Sequence, residues 1–243
     1  MGRAIALHLA AHGADIVIHH GHSAAEAEQT AHDIRQLGRR AAIVQADLAQ
    51  WAEAERLAAQ AIAAFGRVDI LVNNAASFVK ARYPNASEAD FDAALDVNLK
   101  APFALGQSIG RHMIAVRGDA VAFASQPAPD YASIINITDE SAFRAFSGFA
   151  PHSVSKAALL ALTRVQAVSL GPQVRVNAIC PGVVLKPDAQ PEASWNAYRT
   201  RNPMQALGSA EQVAEAVLFL VSGPSFVNGD CLMLDGGEIW MEK

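Results

Sequence analysis

Two cysteines in 243 residues, Cys180 and Cys231, are too few for a disulfide framework and show no metal-ligand spacing, which fits a reducing, cytoplasmic setting. Positive charge is also short. Nineteen Lys and Arg face 24 Asp and Glu, giving a net charge of −5, so no surplus exists to neutralise a phosphate backbone and nucleic acid is not an expected partner. No apolar run approaches the ~18 residues of a membrane span. The opening Met1-Gly-Arg-Ala-Ile-Ala-Leu-His-Leu-Ala imitates a weak leader peptide, but His8 and His12 interrupt its apolar core. Low charge (18%) combined with 51% hydrophobic residues excludes a disordered chain.

What is present is alternation. Arg3 to His12 reads as a helix that Gly13 ends, and Asp15–His20 as a short apolar strand. Ser23-Ala-Ala-Glu26 reads as a capping box opening the next helix. Strand patterns follow at Ala41–Ala46, Val68–Asn73, Ser133–Thr138, Val174–Ile179 and Cys231–Asp235, with helices between them, among them Ser87 to about Val116, His152–Leu170 and Ser209–Val221. Uniformly apolar strands separated by helices predict an α/β fold, a doubly wound parallel sheet covered on both faces. No linker or composition break divides the chain, so a single domain over residues 1–243 is expected. The segments Arg117–Ala132 and Val183–Arg201 lack periodicity. Such long loops in this kind of fold usually lie at the carboxyl ends of strands, where ligands bind.

Five motifs then occur in order: Asn73-Asn-Ala75 after a strand, Asn98 in Val-Asn-Leu, Ser155-Lys156 in a helix, Pro181-Gly182 after a strand, and a terminal Leu-Asp-Gly-Gly237. Together they resemble the short-chain dehydrogenase/reductases, single-domain Rossmann-like enzymes that use NAD(P). The resemblance spans nearly the whole chain. It implies cofactor contacts from Gly2, Asp47 and Leu48, Asn74 and Ala75, Thr138, Lys156, and Pro181, Gly182 and Val184. Asp47 stands where the family contacts the adenine amino group, and Pro181-Gly182 where a turn holds the nicotinamide face. By the same resemblance Asn98 supports a water and orients Lys156, and Lys156 holds the nicotinamide ribose.

Two departures stand out. The family's fold has a first strand running into a Gly-rich turn that binds pyrophosphate at a helix N-terminus. This chain begins inside that turn, with Gly2 in the place of its last glycine. The expected result is a sheet with two facing strand edges lacking a backbone partner, between Ile16–His20 and Val68–Asn73. The second departure is catalytic: the family tetrad of Asn, Ser, Tyr and Lys reads Asn98, Asp139, His152 and Lys156 here.

Asp at the serine position resembles the pteridine reductase branch, which also carries Asn-Asn-Ala followed by Ser-Phe, as in Asn73-Asn-Ala-Ala-Ser-Phe78 here. In that branch the Phe stacks on the pterin, so Phe78 is either that platform or a core aromatic. His152 has two readings. Positive neighbours, Lys156 and the oxidised nicotinamide, favour a neutral imidazole, a poor proton donor and shorter than a phenol. His152 is then a degraded Tyr, and the chain a catalytically silent homologue that binds nucleotide or assembles with an active relative. Alternatively His152 is an adapted donor working with Asp139.

After the second family strand, His19-His-Gly-His-Ser23 contains no acid to bind ribose hydroxyls, which favours NADP(H) over NAD(H), with His22 and Ser23 in the phosphate-binding positions. The three histidines lack a nearby carboxylate or Cys and are not read as a metal site. Trp195 and Tyr198 either line the substrate mouth or pack its lid. The expected function is NADPH-dependent hydride transfer to a small pterin-like substrate. The His152–Leu170 helix is apolar on more than one face, through Val154, Ala157, Leu159, Leu160, Leu162 and Val165, which predicts a homo-oligomer, a tetramer.

Overall fold

The computed structural model describes residues 1–186 and 190–241; the expected loop Val183–Arg201 therefore lies partly outside the described residues. Each apolar run identified above forms a strand: β1 (Ile16–His20), β2 (Ala41–Gln45), β3 (Ile70–Asn73), β4 (Ala132–Ile137), β5 (Val174–Pro181) and β6 (Cys231–Leu234). All their pairings are parallel, as the intervening helices require. Among the described residues the strands fall into two sheets, β1-β2 and β3-β4-β5-β6, and no ladder joins β1 to β3.

Side-chain alternation along the four-stranded sheet divides the core in two. Ile134, Val174 and Val176 face one layer, built from α3 (Trp51–Phe65), α5 (Ala101–Arg117) and α7 (Ala150–Leu170). Ile135, Ile137 and Ile179 face the other, where Ile5 and Leu9 of α1 (Gly2–Ala11) meet Val213 and Val217 of α9 (Ala210–Ser222). The outcome is the expected α/β Rossmann-like fold. The remaining helices are α2 (Ala24–Gln36), α4 (Glu88–Leu95), α6 (Ala120–Ala124) and α8 (Glu192–Asn196). No helix of the described residues is long and apolar enough to cross a membrane.

Several local expectations need correction. Ser23 precedes α2, but its φ of −87° and ψ of 61° do not aim its hydroxyl at the helix, and no capping box forms there. Capping boxes form instead at Ser87–Asp90 and Ser209–Gln212, where the N-cap residue is extended. The helix expected over Ser87–Val116 is broken by a π-helical turn at Asp96–Lys100, centred on the buried Asn98. α7 starts at Ala150 rather than His152, with Pro151 in its first turn. Both aperiodic segments contain a short helix, α6 and α8.

Candidate active site

The carboxyl ends of β3, β4 and β5 converge with the first turn of α7 and the π-helical turn. β4 is followed by Thr138, whose N–H and hydroxyl both donate to the Ile179 carbonyl of β5 (2.8 and 3.2 Å). This pins the next residue, Asp139, at the sheet's rim. Its Oδ1 accepts the Ser141 N–H at 2.8 Å and the Ser141 hydroxyl, opening a short 3₁₀ turn at Glu140–Ala142.

In the first turn of α7, His152 points back at that carboxylate: Nε2 lies 2.6 Å from Asp139 Oδ2. Its other ring nitrogen, Nδ1, lies 3.0 Å from the Ser77 carbonyl oxygen. Asn98 Nδ2 lies farther off, 3.4 Å from Nδ1, with nearer acceptors in the Ser77 carbonyl and the Ser155 hydroxyl. The nearest partner of each ring nitrogen is therefore an acceptor, which suits an N–H on each, the Nε2 proton shared with the carboxylate. Exposure is unequal: the His152 side chain is 2% accessible and Asp139 is 27%. Burial pushes the Asp139 carboxyl up, but the His152 hydrogen bond, then the charges of His152 and Lys156, outweigh it and hold it below its ordinary range.

Lys156 follows one helical turn later and is buried; its Nζ donates to the Ile137 carbonyl at 2.8 Å. Burial lowers its pKa, opposed by the Asp139 charge. Asn98 makes no direct hydrogen bond to Lys156 among the described residues. Its Oδ1 accepts the Ser77 N–H (2.7 Å), and its Nδ2 donates to the Ser77 carbonyl (2.9 Å) and the Ser155 hydroxyl (2.9 Å). The π-helical turn thus clamps the strand-to-loop exit after β3, and this clamp presents the carbonyl that His152 uses.

Phe78 follows directly. It is 59% exposed, which excludes the core-aromatic reading. One face stacks on Phe149 (centroids 4.2 Å, 22°), and it meets His152 edge-on at 4.6 Å. Trp195 is buried and packs edge-on against Tyr198 at 5.6 Å, so it belongs to the interior of the loop rather than to its mouth. Tyr198 is half-buried, with the Arg201 guanidinium over its ring at 4.8 Å.

The second group of residues lies around β3 and the start of α1. A Cβ on Gly2 would stand 2.9 Å from Asn74 Nδ2, so the first residue of α1 rests on the strand exit, and two expected cofactor residues meet. Among the described residues Asn74 Oδ1 is buried without a partner. Leu48 is buried, Ala75 half-buried, and Asp47 exposed, its Oδ1 accepting the Ala49 N–H at 3.0 Å. His22 and Ser23 lie exposed at the start of α2. The Pro181–Gly182 turn is fixed by the Gly182 N–H to the Leu234 carbonyl, and Val184 packs against Gly208. Ser77, Ser141, Ser155 and Phe149 were not named as site residues. Ser155, beside Lys156, and Ser77, before Phe78, lay within quoted motifs; Ser141 and Phe149 carried no sequence signal.

A parallel α/β domain with a buried Lys, a carboxylate and an Asn gathered at the carboxyl ends of its central strands has the architecture of a dinucleotide-dependent oxidoreductase. A family model described as enoyl-(acyl carrier protein) reductase matches residues 1–238. An uncharacterized oxidoreductase of Mycobacterium tuberculosis is 35% identical over 242 residues, 98% of this chain and 87% of its own length. A short chain dehydrogenase of Burkholderia cenocepacia in complex with NADP is 35% identical with a TM-score of 0.84, covering 98% of this chain and 92% of that one. The FolM alternative dihydrofolate reductase 1 of Brucella suis in complex with NADP is 28% identical with a TM-score of 0.88, covering 99% and 91%. The chain belongs to the short-chain dehydrogenase/reductase family of oxidoreductases.

Proposed function

We propose that this protein is an NADP(H)-dependent reductase of a flat, pterin-like carbonyl or imine substrate, in which Asp139 presents the proton and His152 stands behind it. The observation that carries this reading is the 2.6 Å contact between buried His152 Nε2 and partly exposed Asp139 Oδ2. The NADP complexes among its relatives, and the dihydrofolate reductase title of one of them, support the cofactor and substrate class.

The residues fit a dinucleotide. Gly2 lies directly against the Asn74 side chain, Asn74 Oδ1 is a buried acceptor with no partner among the described residues, and the Pro181–Gly182 turn has a bare Cα against Asp235, just beyond β6. Gly2, Leu48, Asn74 and Ala75 would hold the adenosine side, with Asp47 at the adenine. His22 and Ser23 would take the 2′-phosphate, and Thr138, Lys156, Pro181, Gly182 and Val184 the nicotinamide side. When bound, the reduced cofactor supplies a hydride. Lys156, fixed by the Ile137 carbonyl, orients a ribose hydroxyl and adds positive charge beside Asp139. Asp139, held below its ordinary carboxylate range, does not itself store the proton. The Nε2–H of His152 passes it to the carboxyl oxygen, which delivers it to the substrate, because the ring has no free nitrogen and almost no exposure. Phe78 offers its outer face as a stacking platform. Tyr198 borders the substrate side.

One observation favours the alternative of a silent homologue: both ring nitrogens of His152 are spent inside the protein. NADPH oxidation with a dihydropterin separates the two. Turnover that Asp139→Asn lowers ~10²-fold, the scale of one positioned acid, supports the enzyme. Tight NADPH binding with no turnover supports the alternative.

We further propose self-assembly, to a tetramer, in a cytoplasmic setting that keeps Cys180 and Cys231 reduced. Leu159, Leu160 and Leu162 of α7 are buried in the core, whereas Val154, Val165 and Val168 are exposed on its outer side, and Trp51 and Phe103 form an exposed aromatic pair at 5.9 Å.

A further inference from the structure

Beside the site lies a charge cluster that the proposed reaction does not use. Glu140, in the turn after Asp139, and Glu238, in the C-terminal 3₁₀ turn (Glu238–Trp240), have side chains only 4% and 3% accessible. A single guanidinium nitrogen of Arg144 bridges them. Arg201, which closes the 3₁₀ turn Ala197–Arg201, reaches the same Glu238 oxygen at 2.5 Å. Asp235 lies alongside, its carboxylate accepting the Gly237 and Ile239 N–H groups, both at 2.9 Å. From α7, against which the Glu140 turn packs, His152 and Lys156 are engaged with Asp139 and the Ile137 carbonyl, and Arg164 is exposed.

Three carboxylates therefore share two guanidiniums. Glu238 has two arginines and Asp235 two backbone N–H groups. Among the described residues Glu140 has half of one arginine, and its Oε1 is buried with no partner. That atom lies 2.9 Å from where a Cβ on Gly182 would stand, directly against the Pro181–Gly182 turn, and Asp235 Cα lies at the same distance on the other side. The group least able to carry charge is thus wedged between the turn after β5 and the C-terminal turn.

We propose that Glu140 is a positioning residue: in its neutral form it locks the Pro181–Gly182 turn, the C-terminal turn and the 197–201 segment into one unit, and its ionisation loosens that unit. With Glu140 neutral, two carboxylates balance two guanidiniums. Ionised, it leaves one uncompensated buried negative charge, which is costly in a low-dielectric site. Burial, then the Glu238 charge, raise its pKa to about 7 against the opposing pull of Arg144, so the change falls near neutrality. The sign follows: an acid whose folded value is raised loses stabilisation as pH climbs from its ordinary 4.5 through about 7. The geometry stands independently of any substrate.

Trypsin reads the unit directly in the ligand-free protein. Cleavage after Arg199 and Arg201 is scored against cleavage after Arg82, an exposed arginine elsewhere, so that the protease's own pH dependence cancels. The expected ratio rises at least threefold between pH 6 and pH 8.5 in the wild type and stays flat in Glu140→Gln, which mimics the neutral acid. A flat wild-type ratio, or an equal rise in the Gln variant, overturns the proposal. Carboxyl titration of ¹³C-glutamate-labelled wild-type protein needs no variant to fold: one glutamate titrating near pH 7 is expected, and none doing so overturns the proposal. Because no cofactor or substrate is present, failure here is distinct from failure of the reductase reading.

Discussion

Replacing Asp139 by Asn tests whether a proton is shared with His152. The carboxylate accepts from His152 Nε2 at 2.6 Å and from Ser141 through its N–H (2.8 Å) and hydroxyl. Asn is isosteric: its oxygen can keep the Ser141 pair while its NH₂ turns to His152. The ring then drops one proton, accepting at Nε2 and donating through Nδ1 to the Ser77 carbonyl. No buried group is left unpaired, so the loss is the difference between a charge-assisted and a neutral bond, about 1–1.5 kcal/mol. Partial exposure of Asp139 trims this toward the lower figure. For a chain of this size, a change of that magnitude lowers Tm by roughly 2–6 °C. The effect is pH-dependent with a fixed sign. A carboxyl held below its ordinary 3.8 contributes fully above that value and loses its contribution as pH falls through its lower folded value. Calorimetry at pH 7 and near pH 3 is the assay, with ¹⁵N NMR of the His152 ring as the structural readout. Two ring N–H signals are expected in the wild type and one in the variant. An Asn variant as stable as wild type at pH 7, or a wild-type ring with one N–H, refutes the shared proton.

Gly182→Ala should disturb the turn proposed to face the nicotinamide: its methyl would lie 2.9 Å from Asp235 Cα, which is backbone and cannot swing away, so NADPH binding measured by fluorescence titration should weaken at least tenfold. Gly106→Ala should act at a distance from chemistry, since its methyl would sit 2.1 Å from Gln166 Nε2, in the buried chain Asn73–Asn136–Gln166. Overpacking there should cost about 1–3 kcal/mol, visible as a lower Tm with KM nearly unchanged. Val165→Glu together with Val168→Glu should dissociate the assembly without lowering monomer stability; light scattering that shows a monomeric wild type would remove the oligomer proposal.

The sheet was legible because its strands are buried on both faces. Runs such as Ser133–Ile137 and Val174–Ile179 have no helical stripe to compete with, and the motifs at their carboxyl ends placed Asp139, Pro181 and Gly182 at one rim. Cap chemistry was less legible: Ser23-Ala-Ala-Glu26 and Ser87-Glu-Ala-Asp90 look alike as strings, and only the second has the extended N-cap backbone that aims a hydroxyl. The π-helical turn at Asn98 leaves no periodicity signal over five residues. His152 was the largest gap. Reasoning from Lys156 and a nicotinamide charge predicts a neutral ring, because those neighbours follow from the motif. Asp139 lies thirteen residues earlier on another element. Only the fold turns Nε2 onto its carboxylate and Nδ1 onto the Ser77 carbonyl. The Glu140–Arg144–Glu238 cluster was invisible for the same reason, since its members come together only through the C-terminal turn.

Dihydropterin-dependent NADPH oxidation by the wild type, Asp139→Asn and His152→Tyr, measured side by side, tests the account most directly. Proton delivery from the Asp139 carboxyl predicts an active wild type, a ~10²-fold loss in Asp139→Asn on the scale of one positioned acid, and no gain in His152→Tyr. An inert wild type that His152→Tyr revives by ~10² or more would contradict it, and would mark His152 as a lost tyrosine.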